Sequence, residues 1–123
     1  MNEERSDLRE RTKQFALRIV KMYGALDKST EQQVIGRQVL RSGTSVGANF
    51  REAHRSRSDA EFIAKLGDCL KELDETSYWI ELLVDGEFVA ETRMSELLDE
   101  CNQLIAILTT IVKNTKQRMK DKV

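Results

Sequence analysis

No proline interrupts the 123 residues of this chain. Along it, apolar side chains recur every third or fourth residue in four long runs. That period places them on one side of a helix, and without proline no residue removes a backbone donor or clashes with the preceding turn. Leu8, Thr12, Phe15, Ile19, Met22 and Leu26 predict a first helix over residues 6–26. Asp27-Lys28-Ser29-Thr30 breaks it, and Ser29 or Thr30 can cap a second helix over 31–55, with Gln32 or Gln33 at the capping-box position. Its seam is Ile35, Val39, Ser42, Val46, Asn49/Phe50 and Ala53. Ser58-Asp59-Ala60-Glu61 has the form of a capping box and starts a third helix over 59–84, with Phe62, Leu66, Cys69/Leu70, Leu73, Ser77, Ile80 and Val84 inward. Asp85-Gly86-Glu87 signals a turn. A fourth helix is expected over 92–118, with Met94, Leu97/Leu98, Cys101, Leu104/Ile105, Leu108, Ile111/Val112 and Met119 inward, and residues 120–123 are expected to fray. Four such helices on short connections run antiparallel, so the fold expected is an all-α, up-and-down four-helix bundle in one domain, 1–123.

Gly36, Gly43 and Gly47 oppose an unbroken second helix, at about 0.8–1 kcal/mol each. The alternative is a loop near Ser42-Gly43-Thr44-Ser45. The seam stays in phase across the glycines, which fall within about 40° of one another on the flank of the core face. The continuous helix is therefore favoured, its small residues letting a neighbouring backbone approach. Leu17 and Val20 on helix 1, Tyr78, Trp79, Leu82 and Leu83 on helix 3, and Ile107 and Val112 on helix 4 widen the apolar faces beyond a seam. Such faces either fill a wide core or meet another copy of the chain, and an oligomer is expected. Trp79 is expected to pack under the 85–91 loop.

No run approaches the roughly 18 uncharged apolar residues of a membrane span. The first five residues, MNEER, lack the apolar segment of a signal peptide, so the expected compartment is the cytoplasm. Cys69 and Cys101 fall at apolar positions and read as reduced core residues. Net charge is −1, yet residues 5–57 carry 12 basic and 5 acidic side chains, and residues 58–85 carry 2 basic and 8 acidic. That asymmetry favours oriented contact with a polyanion or between protomers.

Chemistry-bearing constellations are scarce. An inward Glu-x-x-His pair would mark a di-iron bundle, but the single histidine, His54, has Arg51 three residues before it. Two separated cysteines and one histidine do not make a zinc site. Gly43-Thr44-Ser45-Val46-Gly47 has no phosphate-loop lysine. No catalytic residue, metal ligand or cofactor is assigned, and no enzyme is expected. The pointed surface feature is basic. Arg37, Arg41, Arg51 and Arg55 share about an 80° arc opposite the seam of helix 2, and Arg57 extends it. Helix 1 adds Arg11, Arg18 and Lys21 on one side, plus Arg9 and Lys13. Spaced guanidiniums suit phosphate contact. The same face can equally be solvated, or meet the acidic face of helix 3 in the same or another protomer. No aromatic residue interleaves with these arginines, so backbone contact with little sequence readout is expected. Asn49 and Glu52 sit at the core boundary near the corner between helices 2 and 3, where Arg57, Ser58 or Glu61 can satisfy them.

At that corner SVGANFREA (Ser45 to Ala53) and RSDAEF (Arg57 to Phe62) resemble the signature of a bacterial four-helix-bundle family. Its founders are encoded in intervening sequences of 23S ribosomal RNA genes, and the accessory variability protein of diversity-generating retroelements is a relative. By that resemblance Asn49, Glu52, Arg57, Ser58, Glu61 and Phe62 occupy motif positions. Ala53 stands where the family usually has glycine, and the common proline before helix 2 is missing. The resemblance implies a ring-forming homo-oligomer, often a pentamer. For the retroelement relative it implies work with nucleic acid and a reverse transcriptase. Two functions follow as expectations. One is a non-enzymatic, oligomeric RNA- or DNA-binding accessory module using the arginine face. The other is a protein–protein interaction scaffold with no nucleic-acid role.

Overall fold

Two serines set the starts of the middle helices. Ser29 Oγ accepts from the Gln32 backbone N–H at 3.4 Å, and Ser58 Oγ accepts from the Glu61 N–H at 3.1 Å. Each satisfies one of the donors that a helix start leaves unpaired. A computed structural model describes residues 2–122, and Met1 and Val123, the two ends of the expected domain, lie outside them. Its four α-helices are α1 (Asn2–Gly24), α2 (Thr30–His54), α3 (Asp59–Asp85) and α4 (Glu91–Asp121).

Helix α1 begins four residues earlier than its apolar seam predicts. Glu3 and Glu4 in its first turn suit the positive end of the helix dipole. It ends earlier too, in i→i+3 bonds from the Ala25 and Leu26 N–H groups, with Leu26 still buried. Helix α4 continues through Asp121, beyond the expected fraying point. Arg118 Nη2 and Lys122 Nζ lie 3.2 and 3.7 Å from the Asp59 carboxylate, so the last turn is tied to the start of α3. The α3–α4 turn falls where Asp85-Gly86-Glu87 signalled it. The left-handed residue is Glu87 (φ 64°), while Gly86 is needed because a Cβ there would lie 2.8 Å from the Leu82 carbonyl oxygen.

Each helix packs on its sequence neighbour, and α4 closes on α1 more loosely. Opposed pairs run antiparallel: Gly36 against Leu26 and Gly47 against Thr12, Ser42 against Thr76, and Leu73 against Cys101. The result is a four-helix bundle with its core along the predicted seams of α1, α2 and α4. On α3 the inward residues are Thr76 and Leu83, where the sequence favoured Ser77 and Val84. That helix is apolar over too wide an arc to fix its phase. What fixes it is the Thr76 hydroxyl, which donates at 2.8 Å to Ser42 Oγ, itself donating to the Gln38 carbonyl at 2.9 Å. Buried hydroxyls need such partners. Cys69 and Cys101 are free and buried, and burial pushes each thiol up to about 12. Trp79 packs against the core beside Tyr78, ring centroids 5.0 Å apart.

Helix α2 is unbroken across its glycines. A Cβ on Gly43 would lie 2.8 Å from Ile19 Cγ1, whereas one on Gly67, on the outer side of α3, would meet nothing within 4 Å. The same substitution should therefore act with opposite signs at the two sites. Gly67→Ala should stabilise by about 0.8–1 kcal/mol through helix propensity. Gly43→Ala should destabilise by about 1 kcal/mol or more, because overpacking exceeds that gain. Urea melts of both variants check this, and equal signs would contradict the packing.

Candidate nucleic-acid interface

The eight basic residues singled out in the sequence divide into three groups. Arg11 and Arg41 are paired with carboxylates of their own protomer. Arg11 donates through Nε and Nη2 to both oxygens of Glu100, at 2.8 and 2.7 Å, and through Nη2 to Gln103 Oε1 at 2.9 Å. This fork joins α1 to α4 at their loose side. Arg41 joins α2 to α3, with Nη1 3.2 Å from Glu72 Oε2 and Nη2 2.8 Å from Glu75 Oε1. Here the basic arc of α2 meets the acidic face of α3 within one protomer. The hydrogen bond from Arg11 holds the Glu100 carboxyl below the usual carboxylate range, against the opposing effect of burial.

Arg18 and Lys21 form a second group, on the α1/α4 side. They line a groove with Arg93 over Met22 and Leu97. Arg37, Arg51, Arg55 and Arg57 form the third. All four are exposed and none makes an ion pair among the described residues. Arg51 does not stand alone. With Arg9 and Lys13 it lines two adjoining surface grooves where α1 and α2 run closest, one floored by Ala16, Thr44, Gly47 and Ala48 and the other edged by Ser6 and Glu10. Arg9 and Lys13 are one turn apart on the flank of α1 that meets α2. Antiparallel pairing of α1 with α2 sets them opposite Arg51. That register was the signal that joins them, and without it they were two charges at the margin of helix 1. Arg93 was missed for the same reason.

At the corner, Phe62 is 3% exposed and Ser58 caps α3. Glu52 reaches Lys65 Nζ at 3.4 Å and none of the expected Arg57, Ser58 and Glu61, while Arg57 and Glu61 point to solvent and Asn49 is half-buried. Glu61 returns no side-chain bond to Ser58, so the capping box is only half formed. Among the described residues no three His, Cys, Asp or Glu side chains converge as a metal site would need, and no helix is long and apolar enough to cross a membrane.

The sequence model of the 23S rRNA-intervening sequence protein matches residues 4–110. The chain belongs to that family. A solved structure from Bacteroides thetaiotaomicron VPI-5482, a protein of unknown function from the S23 ribosomal protein family, is 37% identical. The match covers 92% of this chain and 99% of that one, with a TM-score of 0.83. Among curated proteins none matches. Membership agrees with the corner signature and with the bundle.

The Arg11–Glu100 fork should be visible in stability. Glu100→Gln should cost about 1 kcal/mol at neutral pH. A carboxyl whose folded pKa is lowered stabilises above its unfolded pKa of about 4.3, and this is lost as pH falls through the folded value. The gap between wild type and Glu100→Gln in urea melts should therefore close on acidification below about pH 4. A gap that persists undiminished in acid would remove the fork from the stability account.

Proposed function

We propose that this family member is a non-enzymatic, oligomeric binding module of the cytoplasm that holds RNA or DNA by its phosphate backbone. The observation that carries this is the convergence of Arg9, Lys13 and Arg51 on the α1/α2 grooves without an ion-pair partner among the described residues. Glu10 edges one groove and sets one negative charge against the three positive ones. Guanidinium and ammonium groups held on two adjacent rigid helices suit successive phosphates. Arg55 and Arg57 continue the basic surface towards the α2–α3 corner, while Arg37 stands apart, about 21 Å along α2 from Arg51. No aromatic platform lies among them, so the contact is with backbone and carries little sequence information.

The oligomer is supported by Leu17, Val20 and Val34, which are 51%, 49% and 54% exposed on the outer sides of α1 and α2. Apolar side chains left open in this way suit cover by another subunit. They also favour the second reading, a protein-interaction scaffold without nucleic acid. Arg41 gives that reading no support, since its acidic partners belong to its own protomer.

Fluorescence anisotropy with a random-sequence single-stranded RNA, across a salt series, tests the proposal. Affinity should fall steeply with salt, by about 0.7 in the log–log slope for each phosphate neutralised. The Arg9→Ala/Lys13→Ala/Arg51→Ala variant should flatten that slope by roughly two and keep the wild-type helicity. RNA binding that is absent in the wild type, insensitive to salt or unchanged in the variant would overturn it. Light scattering on Leu17→Asp/Val20→Asp tests the oligomer, with a lower mass expected.

A further inference from the structure

A hollow of ≈ 210 Å³ lies at the end of the bundle where α1 begins and α4 ends. Its origin is legible in the core layers. Helix α4 presents Leu104 and Leu108 inward, then the partly buried Ile111, and then Thr115 as its next fully buried residue, 2% exposed. Threonine is shorter than leucine, and its hydroxyl turns back to donate to the Ile111 carbonyl at 2.8 Å. Opposite it, α1 offers Leu8 and then only the charged Glu4 and Arg5. The loose α1/α4 side therefore ends in an unfilled layer. Its walls are Leu8, Phe50, Phe62 and Ile111, the first three nearly or wholly buried.

The mouth is polar and carries charges of both signs. Arg5 lies with its guanidinium 4.1 Å from the centre of the Phe62 ring, and no carboxylate pairs with it among the described residues. Its face is held on the ring, which leaves its edge N–H groups for an acceptor. Arg118, paired with Asp59, stands on the α4 side, and Asn114 adds an amide donor. Glu4 also lines the mouth but is exposed to solvent.

We propose that this hollow binds a small organic acid with a flat or branched apolar body. The body fills the layer that Thr115 leaves open, against Phe50 and Phe62, and the carboxylate meets Arg5. The size selects a ring-sized ligand, since drug-sized pockets run from about 300 Å³ upward. The chemistry selects an acid through Arg5, whose guanidinium lies on the Phe62 ring at the hollow and pairs with a carboxylate in a fork, while the Glu4 carboxylate on the same rim is turned to solvent. The site is separate from the Arg9/Lys13/Arg51 face and does not depend on nucleic-acid binding.

Benzoate titrated into the full chain, followed by NMR, tests this. Saturable shifts are expected at Leu8, Phe62, Ile111 and Thr115, with uncharged benzyl alcohol about tenfold weaker. Thr115→Leu and Ile111→Phe both fill the hollow, and circular dichroism reports which of them fold. Either, folded, should abolish binding, while Arg5→Gln should remove the preference for benzoate over benzyl alcohol. The Arg9→Ala/Lys13→Ala/Arg51→Ala variant should bind benzoate as wild type does. No saturable shift, shifts confined to the Arg9 and Arg51 surface, binding retained in a folded filled variant, or equal affinity for the acid and the alcohol would each overturn the proposal.

Discussion

At Gly36 and Gly43 the side chains of Leu26 and Ile19 fill the space that a Cβ on α2 would need, while a Cβ on Gly47 would only touch the Thr12 carbonyl oxygen, at 3.4 Å. This packing has two consequences across the bundle. It fixes the register of α1 on α2, with Leu26, Ile19 and Thr12 descending against Gly36, Gly43 and Gly47. It also draws α1 away from α4, so the fourth side of the bundle is the loosest and carries grooves along its length. The propensity cost of Gly36 and Gly43, about 0.8–1 kcal/mol each, is offset by the contacts of Leu26 and Ile19 that the missing Cβ atoms allow.

The loose side shapes what the arginines can do. Where apolar packing between α1 and α4 is thin, the Arg11 fork to Glu100 and Gln103 spans the gap. Between α2 and α3, which pack tightly, Arg41 lies over the seam on Glu72 and Glu75. These two guanidiniums hold helices together and have little capacity left for an outside partner. The opposite holds at the α1/α2 groove. There the backbones are too close for long side chains to interleave, so Arg9, Lys13 and Arg51 are turned outward from two elements onto one surface. One packing constraint thus separates bridging cations from those free to meet a polyanion.

Most of the fold was legible because its signals are local. Period-3.6 apolar runs, capping serines and the Asp85-Gly86-Glu87 turn act within a few residues, and each lies where the sequence placed it. The phase of α3 was not, because an apolar arc that wide admits both Thr76 and Ser77 as inward, and the choice rests on a hydroxyl of α2. The basic surface was only half legible. A helical wheel groups Arg37, Arg41, Arg51 and Arg55 correctly on one helix, yet it cannot tell Arg41, which faces two carboxylates of α3, from Arg51, which faces Arg9 and Lys13 of α1. That distinction belongs to inter-helix register, which periodicity does not carry.

The corner signature divides along the same line. Ser58 caps α3, Phe62 closes the core beneath Arg5, and Glu52 reaches Lys65, so the fold accounts for all three. It does not call on the side chains of Asn49, Arg57 or Glu61, which form no hydrogen bond or ion pair in the described structure. A bundle needs a cap and an apolar plug at such a corner, and it has no need of an exposed arginine beside them. Arg57 stands at the end of the bundle where α1 begins and α2 ends, as do Arg9, Arg51 and Arg55. The part of the family signature that packing leaves unexplained therefore adjoins the surface whose cations packing leaves unpaired.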